Sequence, residues 1–334
     1  MTLLEVDALS KHYPVASKAA RKLFAPATPQ PLLHAVDQVG FAIARGETVG
    51  LVGESGCGKS TLVRLLTRLI DPTDGRIVFN GQDIGAMPAK GFGRRPQRAD
   101  IQMVFQDAGD SLNPRYTAFD AIADPLRRLR PGMDGAALRR RVAELADMTG
   151  LPQALLGRFP HQLSGGQKAR VGIARAIATD PKLLILDEPT SALDVSVQVV
   201  ILRMLDDLKR QLGMSYLFVS HDLHVVHLLC DRVLVMYLGR IVESGPAEAV
   251  FGAPAHPYTK ALVSAIPSFE VGAASARLRL NGEPRSPIDP DPKVCRFYGR
   301  CPKGSERCKS EMPILSPAGS DHLVACHYPE PPPQ

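Results

Sequence analysis

The sequence has no apolar run approaching the roughly 18 uncharged residues that a helix needs to cross a bilayer. Its opening stretch, MTLLEVDALSKHYP, lacks the apolar core of a secretory leader. A cytoplasmic chain is expected, and any membrane-spanning segments must come from other chains. No internal repeat is evident. Cysteine is sparse, six in 334 residues, and four of the six crowd into the last 40 positions as Cys295, Cys301, Cys308 and Cys326. In a reducing compartment such a cluster points to metal ligation before disulfides. Wholesale disorder is excluded by 45% apolar and 22% charged residues. The net charge of +6 suits an anionic partner but does not choose between a small molecule, a lipid surface and nucleic acid.

Along the chain, residues 2–9 and 37–45 alternate as strands do, with Val39, Phe41 and Ile43 on one face. The Pro-, Ala- and Lys/Arg-rich residues 14–33 between them read as a loop. A short apolar strand at 47–52 precedes a Gly-rich turn and a helix from Lys59 to about Ile70. Strand candidates recur at 76–79, 101–105, 183–187, 215–219 and 232–237, with helical patterns between them. In residues 195–212, Val199, Leu202, Leu205, Leu208 and Leu212 fall at helical spacing. Strands alternating with helices predict α/β layers. Residues 107–162 read as a helical insertion between two halves of the sheet, and beyond about Ile266 prolines replace periodicity.

Gly53-Glu54-Ser55-Gly56-Cys57-Gly58-Lys59-Ser60 has the spacing GxxxxGKS between a strand and a helix, the context that phosphate loops require. Glycines let the backbone curl so that N–H groups face phosphate oxygens, and the following helix adds its positive end. Lys59 is expected on the terminal phosphates and Ser60 on Mg²⁺, with Thr61 assisting. The apolar run Leu183–Asp187 ends in Asp187-Glu188, which puts one carboxylate on Mg²⁺ and the next beside the attacking water. No Asn-Lys-x-Asp guanine motif occurs.

Leu163-Ser164-Gly165-Gly166-Gln167 resembles the LSGGQ signature of ABC ATPases and has the makings of a second phosphate nest at a helix start. The resemblance covers residues 3–265. It implies an α/β P-loop NTPase cassette: a RecA-like mixed sheet, an antiparallel β subdomain and an α-helical subdomain at about 107–178. By the same resemblance the signature acts on ATP held by the opposing subunit's phosphate loop. Gln106 is similar to the Q-loop glutamine that senses Mg²⁺ and water. Ser191-Ala192-Leu193-Asp194 resembles the D-loop, His221 the switch histidine on the γ-phosphate, and Tyr13 the adenine-stacking aromatic. One small departure is Lys168 directly after the signature.

A narrower resemblance, to the second ATPase of oligopeptide/dipeptide importers, is carried by Ser111-Leu112-Asn113-Pro114, Asp194–Gln198, His256-Pro257-Tyr258-Thr259 and the terminal cysteines. That group also takes in nickel and glutathione importers. It implies ATP hydrolysis driving di- or oligopeptide import at the cytoplasmic face of a bacterial inner membrane. The implied partners are a paralogous ATPase or a second copy, two permeases, and a periplasmic or lipid-anchored solute-binding protein. Residues 266–334 are expected to form a small Cys-rich module. Four soft thiolates suit either Zn²⁺ or an iron–sulfur cluster, though the spacings exceed the usual zinc knuckle. The resemblance implies a 4Fe–4S cluster, whose negative charge nearby cations (Lys293, Arg296, Arg300, Lys303, Arg307, Lys309) are placed to offset, unless they form a solvated face. Cys57 reads as a small filler rather than a redox switch. The rival class is a soluble ABC protein working on nucleic acid or ribosomes. The single cassette and the lack of a long coiled coil argue against it.

Overall fold

A computed structural model describes residues 1–15, 30–106, 108–265, 278, 280 and 282–330. Most of the loop expected at 14–33, and the start of the expected C-terminal module, lie outside the described residues.

The strands are β1 (Thr2–Pro14), β2 (Leu32–Ala44), β3 (Thr48–Val52), β4 (Asp74–Phe79), β5 (Gln82–Asp83), β6 (Ile101–Val104), β7 (Leu183–Asp187), β8 (Ser215–Val219), β9 (Arg232–Tyr237), β10 (Arg240–Pro246), β11 (Ser316–Gly319) and β12 (His322–Val324). They form two sheets. One is antiparallel, in the order β2-β1-β4-β5; the other has eight strands, in the order β11-β12-β10-β9-β3-β8-β7-β6. Strands β6, β7, β8, β3 and β9 run parallel, and β10, β12 and β11 continue the sheet antiparallel. The mixed sheet and the separate antiparallel sheet match the expected cassette.

The parallel strands are legible because both their faces are covered. Every residue of β3, β6, β7 and β8 is buried, so each reads as a mostly apolar run. Their alternate residues feed two cores. Leu51, Ile185 and Leu217 pack with β1, β2, β4 and the helix Lys59–Leu66. Leu184, Leu186 and Phe218 pack with the helices Val195–Leu212 and Leu223–Leu229 and with the helical insertion. Each fully buried Leu or Ile contributes about 1.5–3 kcal/mol.

The helical insertion holds the helices Ala118–Leu129 and Gly135–Met148, capped by Thr117 and Asp134. It returns to the sheet through the helix Gly165–Ile177. The helix over 195–212 has the predicted bounds. The first helix stops at Leu66 instead of Ile70, and β1 and β2 extend to Pro14 and back to Leu32, into the expected loop.

Strand β10 escapes sequence pattern because its middle is a buried carboxylate. Glu243 is fully buried, accepts from the backbone N–H groups of Ala255 and His256, and meets His322 Nε2 at 2.7 Å. Through β12 on β10, the C-terminal segment is therefore built into the main sheet rather than appended to it. A second stitch is ionic. Asp37 in β2 accepts from Arg240 Nε at 2.8 Å and Arg296 Nη2 at 2.6 Å. Burial alone would raise the Asp37 pKa; the two guanidiniums outweigh it and hold the carboxyl below its ordinary range.

A depressed carboxyl contributes stability above its ordinary pKa and loses it as pH falls through the folded value. Asp37→Asn is expected to cost about 3 kcal/mol at neutral pH, since two guanidiniums lose their partner. In urea unfolding the gap to the parent should narrow as pH falls below the ordinary carboxylate range and close once pH is below the depressed folded-state pKa of Asp37, where its carboxyl is protonated. A gap that persists there contradicts the assignment.

Candidate functional site

The phosphate loop is built by close approach. Gly58 has φ +113 and a methyl there would lie 2.2 Å from Ala35 O; at Gly53, with φ +153, it would lie 2.2 Å from Met236 O. The loop is thus pressed between β2 and β9, and only glycine fits at either contact. The β9–β10 turn, Leu238-Gly239, has both φ angles positive, as tight hairpins require. Its Gly239 N–H donates to Cys57 O at 2.8 Å and pins the loop from outside. Lys59 leads the following helix, and its buried Nζ donates to Gly53 O at 2.7 Å and Glu54 O at 3.1 Å.

The facing wall comes from the C-terminal ends of parallel strands, where open α/β sheets bind ligands. Register sets β6, β7 and β8 side by side, so Gln106, Glu188 and His221 emerge together. Glu188 Oε2 accepts from Gln106 Nε2 at 3.2 Å and lies 3.1 Å from His221 Nδ1. Glu188 sits at φ +48, a strained conformation held by its N–H donating to Val219 O.

Between these walls lies a cavity of about 470 Å³. It is lined by the expected Tyr13, Ser55, Gly56, Cys57, Gly58, Lys59, Ser60, Thr61, Gln106, Glu188 and His221. An adjoining cavity gathers Ser60, Gln106 and Asp187, the three residues expected to hold Mg²⁺. Asp187 is buried; burial first, and Glu188 second, push its pKa up against the pull of Lys59 and Arg64. Cys57 is buried and burial pushes its thiol up too, as suits a filler.

Other expected site residues stand elsewhere. Gly53 and Glu54 lie outside the cavity lining, with Glu54 turned to Arg300. Leu163–Gln167 do not line it either. Ser164 caps the helix Gly165–Ile177: its Oγ accepts from Gln167 N, and Gln167 Oε1 accepts from Ser164 N at 2.9 Å. Gly166 faces Val197, and Gly165 faces Leu193 of the D-loop. Ser191 Oγ donates to Glu188 O at 3.1 Å, which ties the D-loop to the strand tip. Asp194 stands at the N-terminus of the helix Val195–Leu212 without a side-chain capping bond. Sequence pattern missed His34, Leu238, Gly239 and Pro287 in the cavity wall; the positive-φ turn at Gly239 was the one local signal.

Cys295, Cys301, Cys308 and Cys326 line one small cavity with His256 and Phe297. Burial, together with the other three thiols, pushes Cys326 up to about 11. Five neighbouring cations are paired with carboxylates: Arg296 with Asp37, Arg300 with Glu54, Lys303 with Glu330, Arg307 with Glu311 and Lys309 with Glu306; of these Lys303 also lines the thiol cavity. Among the described residues, the one group of three ligand atoms within 4.8 Å of one another is His12, His34 and Asp37. Those imidazoles stack at 3.8 Å and 26°, so their in-plane lone pairs run side by side, and Asp37 is taken by two guanidiniums. That trio is a poor cation site.

A glycine-cradled lysine opposite an Asp-Glu strand tip defines a P-loop nucleotide-binding protein. The ABC transporter family description matches residues 36–191, and that of the oligopeptide/dipeptide transporter C-terminal region matches residues 242–308. The probable peptide ABC transporter ATP-binding protein y4tS of Sinorhizobium fredii is 46% identical over 97% of this chain and 89% of its own length. The oligopeptide transport ATP-binding proteins OppF of Salmonella typhimurium and AppF of Bacillus subtilis are 44% and 42% identical, over 97% and 98% of this chain and 95% and 97% of their own. Among solved structures, the dimeric ATP-binding cassette MJ0796 bound to ADP and Pi superposes with TM-score 0.64 and 28% identity, over 73% of this chain and 99% of that one. The chain belongs to the ABC transporter ATP-binding proteins and is an ABC ATPase. Among the described residues no helix is long and apolar enough to cross a membrane.

Gly58→Ala should weaken ATP binding at least about tenfold, or about 1.4 kcal/mol, because the methyl must displace β2 or the loop. A titration with a fluorescent ATP analogue checks this; unchanged affinity would show that the contact with Ala35 is not needed.

Proposed function

We propose that this chain is the ATP-hydrolysing motor subunit of a bacterial importer for di- and oligopeptides. It sits on the cytoplasmic face of the inner membrane, peripherally bound to two permeases, and is fed by a periplasmic or lipid-anchored solute-binding protein. The observation that carries the motor is the convergence of Lys59, Gln106, Glu188 and His221 on one cavity. The names of the 42–46% identical relatives and the matched C-terminal region support peptide as the cargo.

In this reading Tyr13 stacks on adenine, and the N–H groups of Ser55–Thr61 and the Lys59 ammonium take the phosphates. Lys59 exchanges its carbonyl partners, Gly53 O and Glu54 O, for phosphate oxygens. Ser60, Gln106 and Asp187 would hold Mg²⁺, which would supply positive charge against the phosphates. Glu188 accepts the proton of the attacking water; Gln106 and His221, already on its carboxylate, orient it. Because the signature lies off this cavity, Leu163–Gln167 serve the nucleotide of a partner ATPase, a paralogue or a second copy. Closure around two nucleotides then moves the helical insertions against the permeases, driven by the tighter binding of ATP to the closed pair. Residues 1–265 form the cassette and 266–334 its C-terminal module, with helical residues 107–178 as the permease-facing part.

The four thiols hold a 4Fe–4S cluster. In support, they line one small cavity, and no three of their sulfurs lie within 4.8 Å of one another, whereas Zn–S bonds of about 2.3 Å bring sulfurs within about 4 Å. Such a group cross-links the segment Cys295–Cys326 and can carry an electron.

Glu188→Gln is expected to retain ATP binding and lose turnover by about a hundredfold or more in the assembled transporter. Hydrolysis at the parent rate removes Glu188 as the base. Iron and acid-labile sulfide, assayed on anaerobically purified protein, should approach about four each per chain and vanish in Cys308→Ser. One zinc per chain, or no metal, rejects the cluster.

A further inference from the structure

We propose that Arg300 is a positioning residue for nucleotide binding: from the C-terminal segment it holds, and neutralises, the carboxylate of Glu54 in the phosphate loop. The proposal rests on the reading of the loop as the ATP site.

The two residues stand 246 positions apart and meet as a fork. Arg300 Nη1 donates to Glu54 Oε2 at 2.9 Å, and Nη2 donates to Oε1 at 3.1 Å. Paired parallel bonds of this kind fix direction as well as distance. The guanidinium cannot swing away cheaply. Its side chain is 9% exposed, lies 5.8 Å over the Tyr237 ring and also donates to Tyr237 Oη at 3.2 Å. Tyr237, Tyr258 and Phe297 pack against one another with ring centroids 4.6–5.6 Å apart, behind the fork. Tyr258 adds a second hold on the same loop residue, its Oη accepting the Glu54 N–H at 2.8 Å.

Two consequences follow for the nucleotide. First, Lys59 Nζ donates to the carbonyls of Gly53 and Glu54, so whatever fixes Glu54 also fixes the position from which Lys59 meets a phosphate. Second, a carboxylate one residue before Ser55, in a loop that gathers several negative charges, repels them unless it is paired. The Arg300 fork supplies both the orientation and the opposite charge. Arg300, one of the basic residues near the four thiols, thus serves the loop, and the C-terminal segment reaches the ATP site through this fork as well as through Pro287 in the cavity wall.

The test measures the affinity of the full chain for a fluorescent ATP analogue with Mg²⁺, with turnover followed in the assembled transporter. Arg300→Ala should weaken binding about tenfold and raise KM in proportion, leaving kcat within about twofold. Adding Glu54→Gln to Arg300→Ala should recover most of that loss, because the repelling charge is gone. A packing role alone cannot give this rescue. Melting temperatures recorded alongside show whether each variant is folded. Should Arg300→Ala fail to fold, Arg300→Gln, alone and with Glu54→Gln, makes the same comparison. Unchanged affinity in the single variant, or a double variant as weak as the single one, overturns the proposal. If the parent binds no ATP, the site reading falls, and this inference falls with it; if the parent binds and Arg300→Ala binds equally, only the inference fails.

Discussion

The contact on which the rest of the structure depends is backbone against backbone. The loop Gly53–Ser60 runs between β2 and β9 at distances that leave no room for a Cβ at Gly53 or Gly58. Such contacts are indifferent to side-chain rotamers, so the loop's N–H groups keep their direction before any ligand arrives. Both neighbours of the loop are themselves anchored. Strand β9 is the central partner of β3 and β10 in the main sheet, and β2 is tied to it by the Asp37 N–H donating to Gly239 O.

From that fixed loop the chemistry of the facing wall follows by register. Parallel pairing of β6 with β7 and β7 with β8 aligns three strand tips, and each delivers one polar side chain. The cost is local strain at Glu188 and a buried Asp187 whose charge is disfavoured. Both are features that functional sites tolerate and cores avoid. Ser164 and its glycines sit at a different helix end, outside this cavity.

What was legible in the sequence follows the same division. Strands β3, β6, β7 and β8 could be read because burial on both faces makes them mostly apolar, and the loop because its spacing is set by close approach. Strand β10 could not be read, since Glu243 at its centre is satisfied by His322, 79 residues away. The hairpin β11–β12 is short and rich in Pro and Gly, and earns its place by pairing with β10. Ion pairs such as Asp37–Arg296 and Glu54–Arg300 join residues more than 240 apart, which no local pattern encodes. For that reason the basic residues near the thiols could be read as a field around a cluster or as a solvated face, while the fold pairs five of the six with carboxylates.

The central claim is that Mg-ATP is held by the backbone of residues 53–61 against the tips of β6, β7 and β8. Amide hydrogen exchange of the full chain, with and without Mg-ATP, tests it most directly. The account predicts slowed exchange at Ser55–Thr61 and at Gln106, Glu188 and His221. Protection confined to other parts of the chain, with the loop amides exchanging as before, would contradict it.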